Sequence, residues 1–289
     1  MRITVLLSTY EHPEWLRKTL WGYARQSYRD FEVLIADDGS GPETRAVIEE
    51  AWTKYPRLAL RHAWHEDRGY RRYLLFNRAV LDAEGEYIIF SDADCIPRED
   101  FVDTHARLAA PGRFLSGGAV KLPRTVSEAV TEDDVATGRV FRADWLAAQG
   151  FDPGRHRLRL LRGTAGPTIL DAVSPTGATW NGNNASTWRD VVIRANGFEQ
   201  EAGYGGQDRE FGERLWNLGV RGLLVRHRAV LVHLDHGRPY KTEQSMRRNR
   251  AWRQATREGG VTRARRGIDE LDTDPSAFVA AGPTTKGTS

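Results

Sequence analysis

Residues 87–98 read YIIFSDADCIPR, and this stretch decides the fold class. Its opening apolar run is typical of a buried strand, and the acidic triplet DAD at 92–94 follows that run directly. Upstream, the run FEVLIA at 31–36 leads in the same way into DDGS at 37–40. Ligands of an open α/β sheet bind at the carboxyl ends of its strands, so we expect functional residues to gather in these turns.

Short apolar runs alternate with amphipathic stretches through the first hundred residues, as expected for strands interleaved with helices over a mostly parallel sheet. The sequence therefore predicts an α/β fold. We expect strands at 3–7, 31–36, 57–63 and 87–91, and helices that begin at residue 13 and that cover 43–55 and 71–83.

The alternation weakens beyond Pro97. Residues 151–176 are rich in Arg, Gly and Pro and lack a clear period, so we expect a long loop or a mobile segment there, with ordered structure again at 178–181. The tail from residue 272 has the composition of a disordered segment. The remaining pattern predicts helices at 99–109, 132–149, 188–195, 208–218 and 242–258 and strands at 114–121, 220–225 and 229–233.

The chain of 289 residues has 40% hydrophobic and 28% charged residues, which suits a folded protein with a sizeable core. Its 42 basic and 39 acidic residues leave a net charge of only +3, so we expect no nucleic-acid partner. No apolar stretch is long enough to span a membrane and no signal-peptide pattern is present, which predicts a cytoplasmic location. Cys95 is the single cysteine, so a metal would be held by oxygen and imidazole ligands.

Ser8, Thr9 and Tyr10 follow the first predicted strand, and no glycine-rich loop stands there. This excludes a Rossmann dinucleotide site and a P-loop, because both need glycines where phosphates approach the backbone. Asp92 and Asp94 are carboxylates of the kind that Mg²⁺ or Mn²⁺ prefers together with substrate phosphates. Aspartates are also common in turns for structural reasons alone, and this alternative stays open for either acidic pair taken singly.

Three N-terminal segments resemble the family-two glycosyltransferases of GT-A fold: ITVLLSTYEHPEWLRKTL from residue 3, FEVLIADDGS from residue 31 and GEYIIFSDADCIPREDF, with its DxD element, from residue 85. In the second half, TWNGNNAST at 179–187 and GYGGQDREFGERL at 203–215 resemble the galactosyltransferase-type module of chondroitin-polymerase-like enzymes. The resemblance implies a Rossmann-like, mostly parallel central sheet flanked by helices, with a smaller acceptor-side subregion.

The resemblance also implies a division of the chain. Residues 1–122 would form the nucleotide-sugar-binding half of a GT-A domain, and residues 123–240 would form its acceptor and catalytic half. A basic helix at 241–271 and the tail at 272–289 would follow.

The nucleotide-binding residues are also carried over from the resemblance. Asp38 would accept a hydrogen bond from the uracil imide, and Asp92 would contact the ribose or the metal. Relatives often carry Arg-Asn where this chain has Phe76-Asn77, so the diphosphate contacts are sought among neighbouring arginines, although these fit a solvated helix face equally well. The implied nucleotide set is Ser8, Thr9, Tyr10, Asp38, Arg71, Arg72, Asn77 and Asp92.

The implied cation, Mn²⁺ or Mg²⁺, would be coordinated by Asp94, with Asp92 nearby. His233 ends the predicted strand 229–233 and would complete the protein ligands. His236 is the alternative candidate, although a lone histidine at a strand end is more often a residue without a special role.

Asp208 is the implied general base, because the corresponding acid of the family faces the acceptor hydroxyl. It could instead be only an acid favoured by a helix N-terminus. Many relatives carry Glu-Asp where this chain has Gln207-Asp208, which removes one charge. The donor and acceptor sugars would contact Trp180, Asn181, Asn183, Asn184, Gly205, Gly206 and Gln207.

The resemblance therefore implies a metal-dependent, inverting transferase that moves a sugar from a UDP-sugar to a hydroxyl of a glycan, a lipid-linked molecule or a small molecule. A retaining transferase, one that acts on a thiol or an amine, and a catalytically silent nucleotide-sugar-binding subunit remain alternatives. Two arginine-rich runs, at 155–162 and 247–257, are solvated faces or contact an anionic acceptor or the inner face of the cell membrane.

Overall fold

Eleven strands and eleven α-helices are present in the computed structural model, which describes residues 1–201, 205–237, 243–271 and 279–281. In chain order the strands are β1 (Ile3–Thr9), β2 (Phe31–Asp37), β3 (Ala59–Trp64), β4 (Tyr87–Asp92), β5 (Cys95–Pro97), β6 (Arg113–Ser116), β7 (Gly118–Lys121), β8 (Asn184–Trp188), β9 (Arg221–Leu224), β10 (Val230–His233) and β11 (Val279–Ala281). The helices are α1 (Pro13–Ala24), α2 (Pro42–Lys54), α3 (Arg72–Asp82), α4 (Phe101–Leu108), α5 (Arg124–Ala129), α6 (Glu132–Ala136), α7 (Ala143–Ala148), α8 (Ala165–Ala172), α9 (Arg189–Arg194), α10 (Gln207–Asn217) and α11 (Glu243–Glu258).

The central sheet has eight strands in the order β11-β3-β2-β1-β4-β8-β6-β9. Strands β1 to β4 are parallel to one another, β8 is antiparallel to both of its neighbours, and β9 is again parallel to β6. The mostly parallel α/β sheet predicted from the sequence is thus confirmed. The chain runs outward from β1 to β3 and returns to place β4 on the other side of β1, which creates the crevice where ligands of such sheets bind.

Helices cover both faces of this sheet, which explains why its first strands are almost continuously apolar. Strand β1 has six buried residues out of seven, and all seven residues of β2 are buried. Helices α1, α2 and α4 contribute to the core on one face, and α3, α9 and α10 contribute to the core on the other. The two cores hold the carboxyl ends of β1, β2 and β4 side by side.

A second, three-stranded sheet, in the order β5-β10-β7, lies beside these strand ends. Strand β10 is antiparallel to β5 and parallel to β7. A third apolar cluster joins this sheet to α5, α6 and α7. Because β5 begins directly after the acidic triplet 92–94, the second sheet brings the end of β10 to that triplet.

Most predicted elements of the first hundred residues are confirmed, with ends that differ by a few residues. The strand predicted at 114–121 is wrong as a single element, because it divides at Gly117 into β6 and β7, which belong to different sheets. Gly117 lies against the Asn184 amide, and a side chain there would overlap it. The helix predicted at 132–149 is also interrupted, by Gly138 with φ of 71°.

The loop predicted at 151–176 is wrong, because this segment contains a 3₁₀ helix at Gly154–Leu160 and helix α8. Strand β8 was not predicted, since its sequence NASTW is polar although its first four residues are buried. Of the tail predicted to be disordered, residues 279–281 form β11 against β3, and 272–278 and 282–289 lie outside the described residues. The predicted division at residues 122 and 240 stays a prediction.

Candidate active site

A cleft of about 1450 Å³ opens at the carboxyl ends of β1, β2 and β4 and continues along the second sheet. Its lining comes from both halves of the chain. The N-terminal half contributes Ser8, Thr9, Tyr10, Asp38, Arg72, Asp92 and Asp94, and the remainder includes Asn181, Asn183, Gly205, Gly206, Gln207, Asp208, His233 and His236. The topology therefore gathers most of the predicted site residues in one place.

The acidic turn at 92–94 is fixed by backbone contacts on three sides. The Ala93 amide donates to Ser8 O at 2.8 Å, and the Thr19 hydroxyl donates to Ala93 O at 2.9 Å. The Leu234 amide donates to Asp94 O at 2.8 Å, which ties the turn to the residue after β10. These bonds orient the Asp92 and Asp94 side chains without using their carboxylates.

Asp94 faces two histidines from the end of β10. Its Oδ2 lies 2.7 Å from His236 Nε2 and 3.5 Å from His233 Nε2, and the two imidazole rings stack with centroids 5.7 Å apart. Burial acts to raise the pKa of Asp94, but the hydrogen bond from His236 and the nearby His233 outweigh it and lower this pKa to about 2. Asp94 is therefore an anion at neutral pH.

These side chains fit a divalent cation. Asp94, Cys95 and His233 offer potential ligand atoms within 4.8 Å of one another. Burial raises the pKa of Cys95 well above its ordinary value, and its thiol donates to Asp94 Oδ1 at 3.2 Å, so it is a protonated neighbour rather than a thiolate ligand. His236 Nδ1 donates to Gly237 O at 2.8 Å, which leaves Nε2 as the atom facing Asp94. One carboxylate and two imidazoles suit Mn²⁺ better than Mg²⁺, which prefers oxygen.

Asp92 has a different environment from Asp94. Burial raises its pKa to about 6, even though the Arg72 guanidinium forms an ion pair with its Oδ1 and acts in the opposite direction. Arg72 in turn lies over the Phe76 ring, 4.9 Å from its centroid. Arg72 is thus held by Asp92 at the edge of the cleft, where α3 begins.

The nucleoside end of the cleft is organised around Asp38. Its Oδ1 lies 2.7 Å from His65 Nε2, and its Oδ2 accepts from the Arg71 amide at 3.0 Å. Tyr10 is exposed at the rim and donates through its hydroxyl to Asp67 Oδ2 at 3.1 Å. The carboxylate predicted to accept from a base is therefore held rigidly by two donors.

Asp208 lies in the first turn of α10, behind Gly205 and Gly206, which adopt φ of 114° and 89°. Its Oδ1 accepts from the Tyr73 hydroxyl at 2.8 Å, and its Oδ2 accepts from the Gly182 amide at 3.3 Å. The carboxylate is thus part of the cleft wall and is held by hydrogen bonds from two other segments. An acid that only stabilises the N-terminus of a helix would not need these bonds.

Comparison with known proteins shows similarity to glycosyltransferases. The sequence model of the family described as "Glycosyl transferase family 2" matches residues 4–118. Validoxylamine A glucosyltransferase of Streptomyces hygroscopicus subsp. jinggangensis is 27% identical over 257 residues, which cover 84% of this chain and 58% of that protein. Chondroitin synthase of Escherichia coli is 23% identical over 253 residues, covering 78% and 34% respectively. Residues 4–118 therefore match the family-2 glycosyltransferases, and glycosyltransferase relatives align over most of the chain.

Solved structures of glycosyltransferases share the fold. A Pyrobaculum calidifontis mannosyltransferase in complex with GDP-Man and Mn²⁺ superposes with a TM-score of 0.54 at 22% identity, covering 89% of this chain and 61% of that one. S. aureus TarS 1–349 in complex with UDP-GlcNAc gives 0.57 at 16%, covering 83% and 60%. The GT-A fold predicted from the sequence is confirmed. The chain spans about three fifths or less of the length of these relatives.

Three predicted contacts do not reach the cleft. Asn77 is fully buried, and its amide donates to Phe198 O and accepts from the Phe198 amide. Asn184 is also fully buried and donates to Gly118 O and Ala229 O. Both therefore have structural roles. The Arg71 side chain turns back to Glu66 O, so only its backbone amide serves the site, through Asp38.

Trp180 borders the cleft but is only 1% exposed. Its ring packs edge-on against Phe211, with centroids 4.7 Å apart, and against Phe90 at 5.4 Å. Its faces are therefore not available for stacking on a sugar, and this prediction is corrected to a core position. Gln207 accepts from the Gly205 amide at 2.7 Å through Oε1 and so stabilises the turn before Asp208.

Sequence reasoning missed several residues of the site. Tyr73 lies in the same GYRRY stretch as the two arginines but gave no separate signal, and His65 stands after a strand with no motif around it. His12 contacts His236, with ring centroids 5.4 Å apart, and burial followed by the charge of His236 lowers the pKa of His12. A set of basic side chains from 121–226 also lines the cleft. Among the described residues, no helix is both long and apolar enough to cross a membrane.

Proposed function

We propose that this chain is a metal-dependent, inverting glycosyltransferase that moves a sugar from a UDP-sugar to an acceptor hydroxyl. The observation that carries the proposal is the position of Asp94 between His233 and His236, in the same cleft as Asp208. The match of residues 4–118 to the family-2 glycosyltransferase model and the similarity to a glucosyltransferase support the activity. In this assignment, residues 1–122 bind the nucleotide sugar and residues 123–240 supply the acceptor side.

The nucleoside is assigned to the end of the cleft formed by Ser8, Thr9, Tyr10 and Asp38. Each Asp38 oxygen already accepts one hydrogen bond but has a second lone pair for the uracil imide N–H. Tyr10, exposed at the rim, can lie over the base. Asp92 is assigned to the ribose, with Arg72 beside it for the diphosphate.

Asp94, His233 and His236 would hold the cation, and the mixed oxygen and nitrogen set favours Mn²⁺. Bound there, a divalent cation would neutralise negative charge that develops on the departing diphosphate. Cys95 contributes its hydrogen bond to Asp94, and the Leu234 amide fixes the backbone of the same turn.

Asp208 is the proposed base. The acceptor oxygen forms a bond to the anomeric carbon on the face opposite the diphosphate, the bond from that carbon to the diphosphate oxygen breaks, and UDP leaves with the electron pair. The hydroxyl proton passes to the Asp208 carboxylate. Tyr73 and the Gly182 amide hold this carboxylate in place, so that it is oriented before the acceptor binds.

The test uses the purified chain, a panel of nucleotide sugars, and Mn²⁺, with donor hydrolysis and transfer measured separately from binding of UDP. Asp208→Asn should abolish transfer while UDP binding is kept. Asp190→Asn is the matched control, because Asp190 also lies in the first turn of a helix but is 70% exposed. Equal loss of UDP binding and transfer in Asp208→Asn would contradict the assignment of the base.

The same assay distinguishes the alternatives. A product with the anomeric configuration of the donor would indicate a retaining transferase, and products on thiols or amines alone would indicate a different acceptor class. Tight UDP-sugar binding with no turnover by the unsubstituted chain would favour a catalytically silent binding subunit.

A further inference from the structure

One wall of the cleft is basic. Lys121, His156, Arg159 and Arg226 line it, and Arg155 lies close enough to act electrostatically on His156 and Arg159. These groups come from the end of β7, from the 3₁₀ helix Gly154–Leu160 and from the turn after β9. We call these five side chains the basic wall.

The basic wall lacks acidic partners in the described part of the chain, where none of its members forms a salt bridge. Arg226 Nε is buried without a hydrogen-bond partner. The Arg159 guanidinium donates to Ala119 O, a neutral acceptor. Asp171 is the nearby acid, and its oxygens already accept from Arg228 and His227 at 2.8 Å.

The cations of the wall are close enough to disfavour one another. Burial lowers the pKa of Arg159, and Arg226 and Arg155 lower it further. His156 has a lowered pKa for the same reasons, first burial and then Arg159, Arg155, Arg226 and Lys121. Like charges gathered in a cleft without counterions create a strong preference for a bound anion.

The two arginines adjoin the end of β7 that hydrogen bonds link to the segment holding the proposed base. A methyl group at Gly118 would be 3.3 Å from both Arg159 Nη1 and Arg226 Cβ. The preceding residue, Gly117, accepts through its carbonyl from Asn181 Nδ2 at 3.3 Å, and Gly182 donates to Asp208. Lys121 lies at the opposite end of β7, in register with His233. The arginines therefore lie at the Gly118 end of β7, the end linked to Asp208. The other end of β7, beside the proposed metal ligand His233, is about three strand residues or 10 Å away.

We propose that the acceptor carries an anionic group, a carboxylate, phosphate or sulfate, and that Arg159 and Arg226 bind it while the acceptor hydroxyl faces Asp208. This inference rests on the proposed transferase function and adds the chemical class of the acceptor. Arginine is suited to the role, because its planar guanidinium binds carboxylate and phosphate oxygens in pairs.

The test is binding of three small glycosides in the presence of UDP and Mn²⁺: methyl glucoside, methyl glucuronide and methyl glucoside 6-phosphate. We expect at least one anionic probe to bind roughly tenfold or more tightly than the neutral one, with an affinity that falls as salt is raised. The two anionic probes distinguish a carboxylate site from a phosphate site. Equal binding of all three would overturn the proposal.

Arg226→Gln should remove most of the preference for the anionic probe, and Arg226→Lys should restore part of it. Arg157→Gln is the matched control, because Arg157 lies in the same 3₁₀ helix as Arg159 but is exposed and away from the cleft. Lys121→Gln, at an exposed position, provides a second test if Arg226→Gln does not fold, with a smaller loss expected. The same loss in Arg157→Gln and Arg226→Gln would contradict the proposal.

UDP binding separates this inference from the proposed function. If Arg226→Gln weakens UDP binding as much as probe binding, the wall serves the donor diphosphate and the inference is wrong. If the unsubstituted chain turns over a UDP-sugar but binds the neutral glycoside best, the inference alone fails. If no nucleotide sugar is bound or hydrolysed, the proposed function itself fails.

Discussion

His233 Nε2 lies 3.5 Å from Asp94 Oδ2 because β10 pairs with β5, where His233 is in register with Cys95, the residue that follows Asp94. The pairing of two short strands thus sets the spacing of the candidate metal ligands. Flexible loops would not hold a carboxylate and an imidazole at a fixed separation, whereas a backbone ladder does.

The first prediction concerns this pairing. Asp94→Asn should abolish binding of millimolar Mn²⁺, and His233→Ala and His236→Ala should each weaken it, because each removes one ligand of a small set. Electron paramagnetic resonance of free Mn²⁺ measures the binding directly. Asp190→Asn is the control for a general charge effect, and unchanged Mn²⁺ affinity in Asp94→Asn would refute the site.

The second prediction concerns Tyr73 as a positioning residue for Asp208. Burial and then Asp208 raise the pKa of Tyr73, so its hydroxyl stays protonated and donates to the carboxylate. Tyr73→Phe should lower kcat roughly tenfold to a hundredfold and leave the KM for donor nearly unchanged, since a hydrogen bond to a charged group contributes roughly 1.5–3 kcal/mol. Tyr28→Phe, which loses only a bond to Met1 O, is the control, and equal kcat values in both variants would contradict the role.

The third prediction concerns the junction between the two sheets. Gly117→Ala should destabilise the fold by about 1–3 kcal/mol, because the new methyl group would overlap the buried Asn184 amide. Gly166→Ala should be neutral or stabilising, since Gly166 lies in helix α8 with open space around it. Denaturant unfolding measures both changes, and similar midpoints for the two variants would show that the close approach is unimportant.

The fourth prediction concerns pH and His105, which is fully buried on α4 between Ser186 and Asn184. Burial lowers the pKa of His105 from 6.5 to about 4, although the bond with Asn184 acts in the opposite direction. Below pH 6.5 the unfolded chain takes up a proton that the folded chain takes up only near pH 4, so this group's contribution to stability is lost as pH falls through that window.

Between pH 7 and pH 5, the uncharged His105 lowers the free energy of unfolding by about 2 kcal/mol. His105→Gln should be less stable than the unsubstituted chain at pH 7. Its free energy of unfolding should, however, fall by about 2 kcal/mol less between pH 7 and pH 5, as measured by unfolding in urea at the two pH values. An identical decline in both proteins would show that His105 already accepts a proton in the folded state.

The sequence predicted the part of the fold where residues are buried for their apolar character. Strands β1, β2 and β4 are mostly apolar and buried, and the acids of the cleft follow β2 and β4. Strand β8 was not predicted because its buried polar residues form hydrogen bonds inside the protein. Ser186 bonds to Tyr87 and His105, and Asn184 donates to two carbonyl groups. Such partners depend on the tertiary fold and leave no periodic signal.

The residues of the candidate site were likewise predicted only in part. Asp94, Asp208 and His233 were identified by resemblance, and the structure brings them to one cleft. Asn77 and Trp180 were wrongly predicted to contact ligand, because a position in a motif does not tell whether the side chain points to the cleft or to the core. The basic wall was missed as a unit because Lys121, Arg159 and Arg226 are distant in sequence and meet only when β7 and β9 are placed.

The pairing of β5 with β10 also sets when the proposed cation site can form during synthesis. During translation Asp94 leaves the ribosome on the order of ten seconds before His233, at the usual rate of roughly 5–20 residues per second. A nascent chain that stops between them contains Asp94 but neither His233 nor His236, which supply the imidazoles of the proposed site. Under the proposed assignment, metal capture would therefore be a late event in biosynthesis, and a chain truncated upstream of β10 would lack both histidine ligands.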